Sequence, residues 1–264
     1  MRKKEEKKVL RKYIKNDFDP IYDEGMELAH AGKYQAAIDV LSTIPDKNNH
    51  DLINNIGVCY ERLECFDTAA DYYHRSKITL AKVNLLKLYH SKKVDINVRD
   101  YKDTCRTLIK RKSSTGYYYL SLLYDSIGDH EAAMEIAKLG CKACPSQSDI
   151  IFQLAWLKIE YGKTPIELEE GHALYESLLC REDKEKFYMT ARHNYAYQCQ
   201  KGIGCQKDVE KAIFWYEKAY EAGYEDAAQD LINIYTNEVG FVNRDKARHW
   251  ERIKTHWYDD WDVK

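Results

Sequence analysis

The stretch that decides the fold is residues 191–219, which read ARHNYAYQCQKGIGCQKDVEKAIFWYEKA. Apolar residues recur at helical spacing on both sides of the Gly-Ile-Gly run, which predicts a helix, a short turn and a second helix. Asp208 stands just before the second helix, where its carboxylate caps the free N–H groups. Because one helix pair cannot bury its apolar face alone, further pairs are expected to stack on it.

The same pattern returns in residues 227–250. Ala191 and Ala227 are 36 residues apart, and Trp215 and Trp250 are 35 apart. Both copies resemble the Sel1-like repeat, which is marked by a Gly-x-Gly turn, then Asp, Lys-Ala and Trp-Tyr-x-Lys-Ala. The matching residues are Gly202, Gly204, Asp208, Lys211, Ala212, Trp215, Tyr216, Lys218 and Ala219 in the first copy, and Ala227, Leu231, Tyr235, Gly240, Asp245, Lys246, Ala247 and Trp250 in the second.

The N-terminal and central parts carry a related signal in the segments GKYQAAI (32–38), ECFDTAA (64–70) and GDHEAAM (128–134). These segments resemble the tetratricopeptide repeat, a 34-residue helix pair with small residues at the helix crossing. A third repeat at about 79–112 departs from the pattern through a longer turn, and a fifth repeat has a stretched turn at 161–175. The residues that carry the resemblance are Gly25, Leu28, Gly32, Tyr34, Ala37 and Leu41, then Ile56, Gly57, Tyr60, Phe66, Ala69 and Tyr73, and finally Tyr117, Leu120, Tyr124, Gly128, Ala133, Ala137 and Pro145.

Together the two resemblances imply an all-α fold: a right-handed α-solenoid of about seven antiparallel helix pairs with capping helices. The expected divisions are a basic N-terminal capping helix at 1–17, tetratricopeptide-like repeats at 18–183, Sel1-like repeats at 184–252 and a C-terminal cap or tail at 253–264. The basic helix and the aromatic, acidic tail are each open to two interpretations, as a cap or as a docking element.

Composition narrows the class of protein. Four prolines and twelve glycines in 264 residues favour helix over an all-β fold, and 41 basic against 43 acidic residues argue against a general nucleic-acid binder. Without an apolar run of 18 residues or a secretion signal, we expect a cytoplasmic protein with no membrane span. Its eight cysteines are then expected to be reduced, and the lone Cys141–Cys144 pair lacks the second pair of a zinc finger.

Catalytic motifs are not found. The sequence has no Walker loop, HExxH, GxSxG or EF-hand loop, and His172 and His193 are single histidines without ligand spacing. The Gly-Ile-Gly run follows a helix and precedes no GKS or GKT, so it indicates a turn and not a phosphate loop. We therefore expect no enzyme, no catalytic residues, no cofactor and no metal.

A binding groove is the expected functional site. The tetratricopeptide resemblance implies that the first helix of each pair lines the concave face, with the positions two before and one after the small residue pointing into it. Amide side chains in the inner row can bond to the backbone of an extended peptide, and apolar neighbours offer pockets for its side chains. The candidate residues are Asn55, Asn84, Tyr119, Gln153 and Asn194 in the inner row, and Lys87, Leu122, Trp156 and Tyr197 in the outer row.

The sequence thus predicts a non-enzymatic adaptor or scaffold whose partner is another protein or an extended peptide. Asparagine is also common at the inner position in both repeat families, so that row can be an inherited structural feature. One alternative is nucleic-acid binding through the basic N-terminus and six cations on one short helix. Another is a regulatory subunit of an enzyme complex. The six cations are Arg99, Lys102, Arg106, Lys110, Arg111 and Lys112.

Overall fold

The computed structural model of the chain describes residues 20–45, 48–95, 97–179 and 186–259, without the side chains of 186, 187 and 255–259. Across these ranges it contains fourteen α-helices and no strand, which confirms the all-α fold class. The capping helix expected at 1–17 lies outside the described residues, as does the end of the tail from 260 onward.

The helices form two compact units, Met1–Thr104 and Cys105–Lys264, here called the first and second units. The helix α6 begins in the first unit and ends in the second. In chain order the helices are α1 (Pro20–His30), α2 (Tyr34–Leu41), α3 (His50–Arg62), α4 (Phe66–Arg75), α5 (Thr79–His90), α6 (Val98–Lys110), α7 (Ser114–Ser126), α8 (His130–Ala143), α9 (Ser148–Tyr161), α10 (Pro165–Leu179), α11 (Lys186–Lys201), α12 (Val209–Glu221), α13 (Ala227–Asn237) and α14 (Arg244–Asp259).

In the first unit, α1 packs on α2 and α3 packs on α4, and each pair also contacts the next. Small residues set how closely the helices approach. A Cβ added to Gly25 would lie 2.5 Å from Cδ2 of Leu41, so only glycine allows α1 to lie this close to α2. Gly57 plays the same part between α3 and α4, where an added Cβ would lie 2.9 Å from Cε1 of Tyr73.

In the second unit the pairs are α7 with α8, α9 with α10, α11 with α12, and α13 with α14. The second helix of each pair packs on the first helix of the next, so one apolar core extends from Ile151 to Ala247. Tyr175, Tyr195 and Tyr216 are fully buried in it. This stacking is the repeat architecture that the two resemblances predicted.

One of the two irregular turns predicted from the sequence is present in the structure, and the other is not. The long connection expected in the third repeat, at about 79–112, is confirmed, since α5 ends at His90 and α6 begins at Val98. The stretched turn expected at 161–175 is wrong, because α9 ends at Tyr161 and α10 begins at Pro165. Proline starts a helix readily because the first helical position needs no N–H donor, so residues 165–175 are helical. No helix within the described part of the chain is both long and apolar enough to cross a membrane.

Candidate functional site

The small residue at each helix crossing orients the side chains around it. Ser121, Ala155 and Ala196 in α7, α9 and α11 are completely buried, and the Oγ of Ser121 donates a hydrogen bond to the carbonyl of Ala133 on α8. The crossing therefore faces the partner helix. The residue that follows it in the chain is turned away, as helical geometry requires.

The outer row of the second unit, defined as Leu122, Trp156 and Tyr197, consists of these following residues. Leu122 and Trp156 are half-buried, and Tyr197 is 43% exposed. The three lie on successive first helices, and α9 contacts both α7 and α11. Each of these three helices thus exposes part of one apolar or aromatic side chain of the outer row.

Trp156 also takes part in packing. Its ring meets the ring of Tyr161 edge-on, with centroids 5.6 Å apart, and it packs against the apolar clusters on both sides of α9. Tyr197 is less constrained, and the ammonium of Lys201 lies 5.8 Å from its ring centroid. Tyr197 is therefore the member of the outer row that offers the most surface to a partner.

The inner row of the second unit is more deeply placed. Tyr119 is 8% exposed and Gln153 is 3% exposed, so both present little surface. Asn194 is half-buried, and its Nδ2 donates to the hydroxyl of Tyr175 at 2.9 Å. The sequence could not show how far each of these three side chains extends toward solvent.

In the first unit the amide side chains join one helix to the next. The Nδ2 of Asn55 donates to the hydroxyl of Tyr22 on α1 at 2.7 Å, and its Oδ1 accepts from Asn54 at 3.3 Å. The Nδ2 of Asn84 on α5 donates to Oδ1 of Asn54 at 3.4 Å. Since Asn54 is buried, this chain of amides stabilises the stacking of α1, α3 and α5. Lys87 is exposed beside it.

One polar pair of the second unit was not anticipated. The Nε2 of His193 on α11 lies 2.8 Å from Oδ2 of Asp230 on α13, and the imidazole stacks on the ring of Tyr224 at 4.5 Å. His193 and Asp230 are 37 residues apart, so only the placement of the next repeat brings them together. The pair joins two successive first helices next to Tyr197.

Three potential metal ligands also meet in the second unit. One nitrogen of His172 and the Sγ atoms of Cys199 and Cys205 all lie within 4.8 Å of one another. Burial lowers the pKa of His172, raises the pKa of Cys205 and raises the pKa of Cys199 to about 12. Because 27 residues separate His172 from Cys199, the sequence alone gives no sign that they meet.

The basic side chains of the alternative hypothesis lie on and just after α6. Five of the six are exposed, and Lys102 is half-buried. Arg99 and Lys102 belong to the first unit, and the remaining four belong to the second. The exposed five are Arg99, Arg106, Lys110, Arg111 and Lys112.

Comparison with known proteins identifies the fold. No family model matches the chain, and no curated protein matches it. It is similar to a Sel1 repeat protein from Oxalobacter formigenes, with a TM-score of 0.64 and 21% identity over 89% of this chain and 99% of that one. A human IFIT1 dimer with PPP-AAAA aligns at a TM-score of 0.56 and 14% identity, over 90% of this chain and 59% of that one.

A protective antigen of uropathogenic Escherichia coli that displays an SLR fold, c5321, aligns at a TM-score of 0.43 and 16% identity, over 91% of this chain and 65% of that one. The two structures with TM-scores above 0.5 have low identities to this chain, so their likeness shows the fold alone. The chain has the fold of Sel1-like and tetratricopeptide-like repeat proteins, as its sequence predicted.

Proposed function

We propose that the chain is a non-enzymatic adaptor that binds an extended segment of another protein along the first helices of its second unit. The observation that carries the proposal is the outer row of Leu122, Trp156 and Tyr197. Aromatic side chains such as Trp156 and Tyr197 are frequent anchors of protein interfaces. The fold supports a scaffold of this kind, since repeat proteins bind partners on the surface formed by their stacked units.

The spacing of the row suits an extended segment. Neighbouring helices pack about 10 Å apart, so three successive first helices cover about 20 Å. An extended chain advances about 3.3 Å per residue, so the row corresponds to about six residues of a bound peptide. The apolar rings would receive side chains of the peptide, and the amide of Asn194 and the His193–Asp230 pair would provide polar contacts at one end.

Nucleic acid is the second candidate, and the exposed cations on and after α6 favour it. The two functions differ in their response to salt, because binding to phosphates releases counterions and weakens steeply as salt rises. Apolar docking on the outer row is insensitive by comparison. A regulatory subunit of an enzyme complex would use the same outer row, with an enzyme as the partner.

The test is capture of partners from the source cells by the tagged chain, followed by quantitative mass spectrometry. Tyr197→Ala removes the exposed ring of the outer row. Phe214→Ala is the matched control, since it removes an aromatic ring that is 51% exposed on the second helix α12. We expect a set of proteins whose recovery falls about tenfold or more with Tyr197→Ala and is unchanged with Phe214→Ala.

Nuclease treatment before capture separates the two candidates. Recovery that survives nuclease supports a protein partner. Equal recovery by both variants, or recovery that disappears with nuclease, would contradict docking on the outer row.

A further inference from the structure

The geometry points to a Zn²⁺ site formed by His172, Cys199 and Cys205, which joins two adjacent repeats of the second unit. His172 lies on α10, Cys199 on α11 and Cys205 in the turn that follows α11. A metal ion held by these three residues would connect one helix pair to the next. The inference is independent of the proposed partner surface, because none of the three residues belongs to the outer row.

The ligand atoms have nearly the separation that zinc requires. Zinc binds sulfur at about 2.3 Å and imidazole nitrogen at about 2.0 Å in a tetrahedron, which places the ligand atoms roughly 3.5–3.8 Å apart. The three atoms here all lie within 4.8 Å of one another before any ion is bound. Closing by up to about 1.3 Å is within reach of side-chain rotation, above all for Cys205, which lies in a turn.

The imidazole of His172 is fixed by a hydrogen bond and by a ring contact. The Nδ1 of His172 lies 2.9 Å from Oε1 of Gln198, and an amide oxygen can only accept, so Nδ1 carries the hydrogen. The lone pair is then on Nε2, the arrangement found where a second residue holds a metal-binding histidine in place. The ring also stacks on Tyr195, with centroids 4.4 Å apart.

The repeat itself does not require thiols at these positions. The next repeat follows after 36 residues, so Cys199 corresponds to Tyr235 and Cys205 corresponds to Phe241. Tyr235 is buried and Phe241 is half-buried. Two thiols therefore stand in this repeat where the next repeat has two aromatic rings.

A cavity of about 770 Å³ borders all three ligands. Zinc sites with three protein ligands hold a water or an added ligand at the fourth position. The open space of this cavity would leave room for such a ligand. The two thiolates would balance the charge of the ion. Lys207 and Glu238, which line the same cavity, pair with each other at 2.7 Å.

The test uses the full chain, purified without a metal-binding tag, treated with a chelator and then titrated with Zn²⁺ alone. We expect one zinc per chain and an increase in Tm on binding, because an ion bound only by the folded state stabilises it. Co²⁺ in place of Zn²⁺ should give the strong visible absorption of tetrahedral cobalt with thiolate ligands. Folded chain that binds neither ion would overturn the site.

Two cysteine variants separate this site from adventitious thiol binding. Cys205→Ser removes a ligand at a partly exposed position in a turn, where the fold tolerates serine. Cys65→Ser is the control, since Cys65 is an exposed free thiol of the first unit. We expect at least a 100-fold loss of zinc affinity in Cys205→Ser, of the order that loss of metal-site residues produces, and none in Cys65→Ser.

Zinc affinity that survives in Cys205→Ser, with helix content equal to that of the unchanged chain, would contradict the assignment. A disulfide between Cys199 and Cys205 would also contradict the assignment, because it consumes both thiols. Mass spectrometry of the unreduced protein would detect it as a mass lower by two hydrogens.

Discussion

Trp156 combines packing with exposure in one side chain. Sequence reasoning placed it in the groove, and its half-buried ring in fact contacts Tyr161 and two apolar clusters. Trp156→Ala should therefore lower the free energy of unfolding by about 2 kcal/mol, less than the 3–5 kcal/mol typical of a fully buried tryptophan. Urea unfolding measures this, with Trp156→Phe as the control that keeps a ring. An unchanged midpoint in Trp156→Ala would show that the ring contributes nothing to packing.

Gln198 is expected to act as a positioning residue for the zinc site through Nδ1 of His172. Gln198→Leu removes the acceptor, and we expect zinc affinity to fall about 10- to 100-fold while the stoichiometry stays at one. Gln198→Glu keeps an acceptor oxygen and should restore binding. Equal affinity in the leucine and glutamate variants would show that the hydrogen bond to His172 has no part in metal binding.

Single residues were the hardest features to predict from the sequence. The outer row could be located because a buried small residue fixes which way its neighbour points, as Ala196 does for Tyr197. The burial of Tyr119 and Gln153 could not be predicted, because it depends on the bulk of residues in neighbouring repeats. The proximity of His172 to Cys199 and Cys205 could not be predicted either, since it requires the packing of α10 against the next helix pair.

At the scale of elements, the turn between α11 and α12 is held by glycine. Gly204 has φ +67°, and a Cβ there would lie 2.2 Å from the carbonyl oxygen of Leu168 on α10. Gly240 occupies the same position in the next repeat, with φ +83° and nothing within 4 Å of an added Cβ. A side chain added at either position would meet the backbone strain of positive φ, but only at Gly204 would it also clash with a neighbour.

Substituting alanine for each of these two glycines shows how much the close contact of the turn with α10 affects the free energy of unfolding. Gly240→Ala should lower the free energy of unfolding by about 1 kcal/mol through backbone strain alone. Gly204→Ala should cost about 2 kcal/mol more, because α10 and the turn must move apart. Guanidinium unfolding of both variants gives the comparison. Equal losses would mean that the turn does not contact Leu168 as closely as described.

Helix pairs were predictable because each carries its own pattern of small and apolar residues, as at Gly57 and Ala212. The connections between helices were less predictable. The turn at 161–175 was predicted to be long, yet Pro165 is the first residue of α10. A proline that interrupts a pattern and a proline that begins a helix look alike until the preceding helix is known to end.

For the whole molecule, the repeat architecture followed from self-similarity along the chain, and it required no knowledge of any partner. The balanced charge, net −2 at pH 7, bears on how a partner is held. We expect the affinity for a captured partner to change less than about threefold between 50 and 200 mM salt. A protein that contacts six to ten phosphates loses about 10³- to 10⁵-fold over that range. A loss of that size would favour the exposed cations on and after α6 as the binding surface.

The central claim, that a partner docks on the outer row of the second unit, is tested most directly by photo-cross-linking in the source cells. A photoreactive phenylalanine analogue replaces Tyr197 in one variant and Phe214 in the other, two exposed aromatic positions on a first and a second helix. We expect a discrete cross-linked partner from position 197 and none from position 214. Cross-links from position 214 with none from position 197 would contradict it.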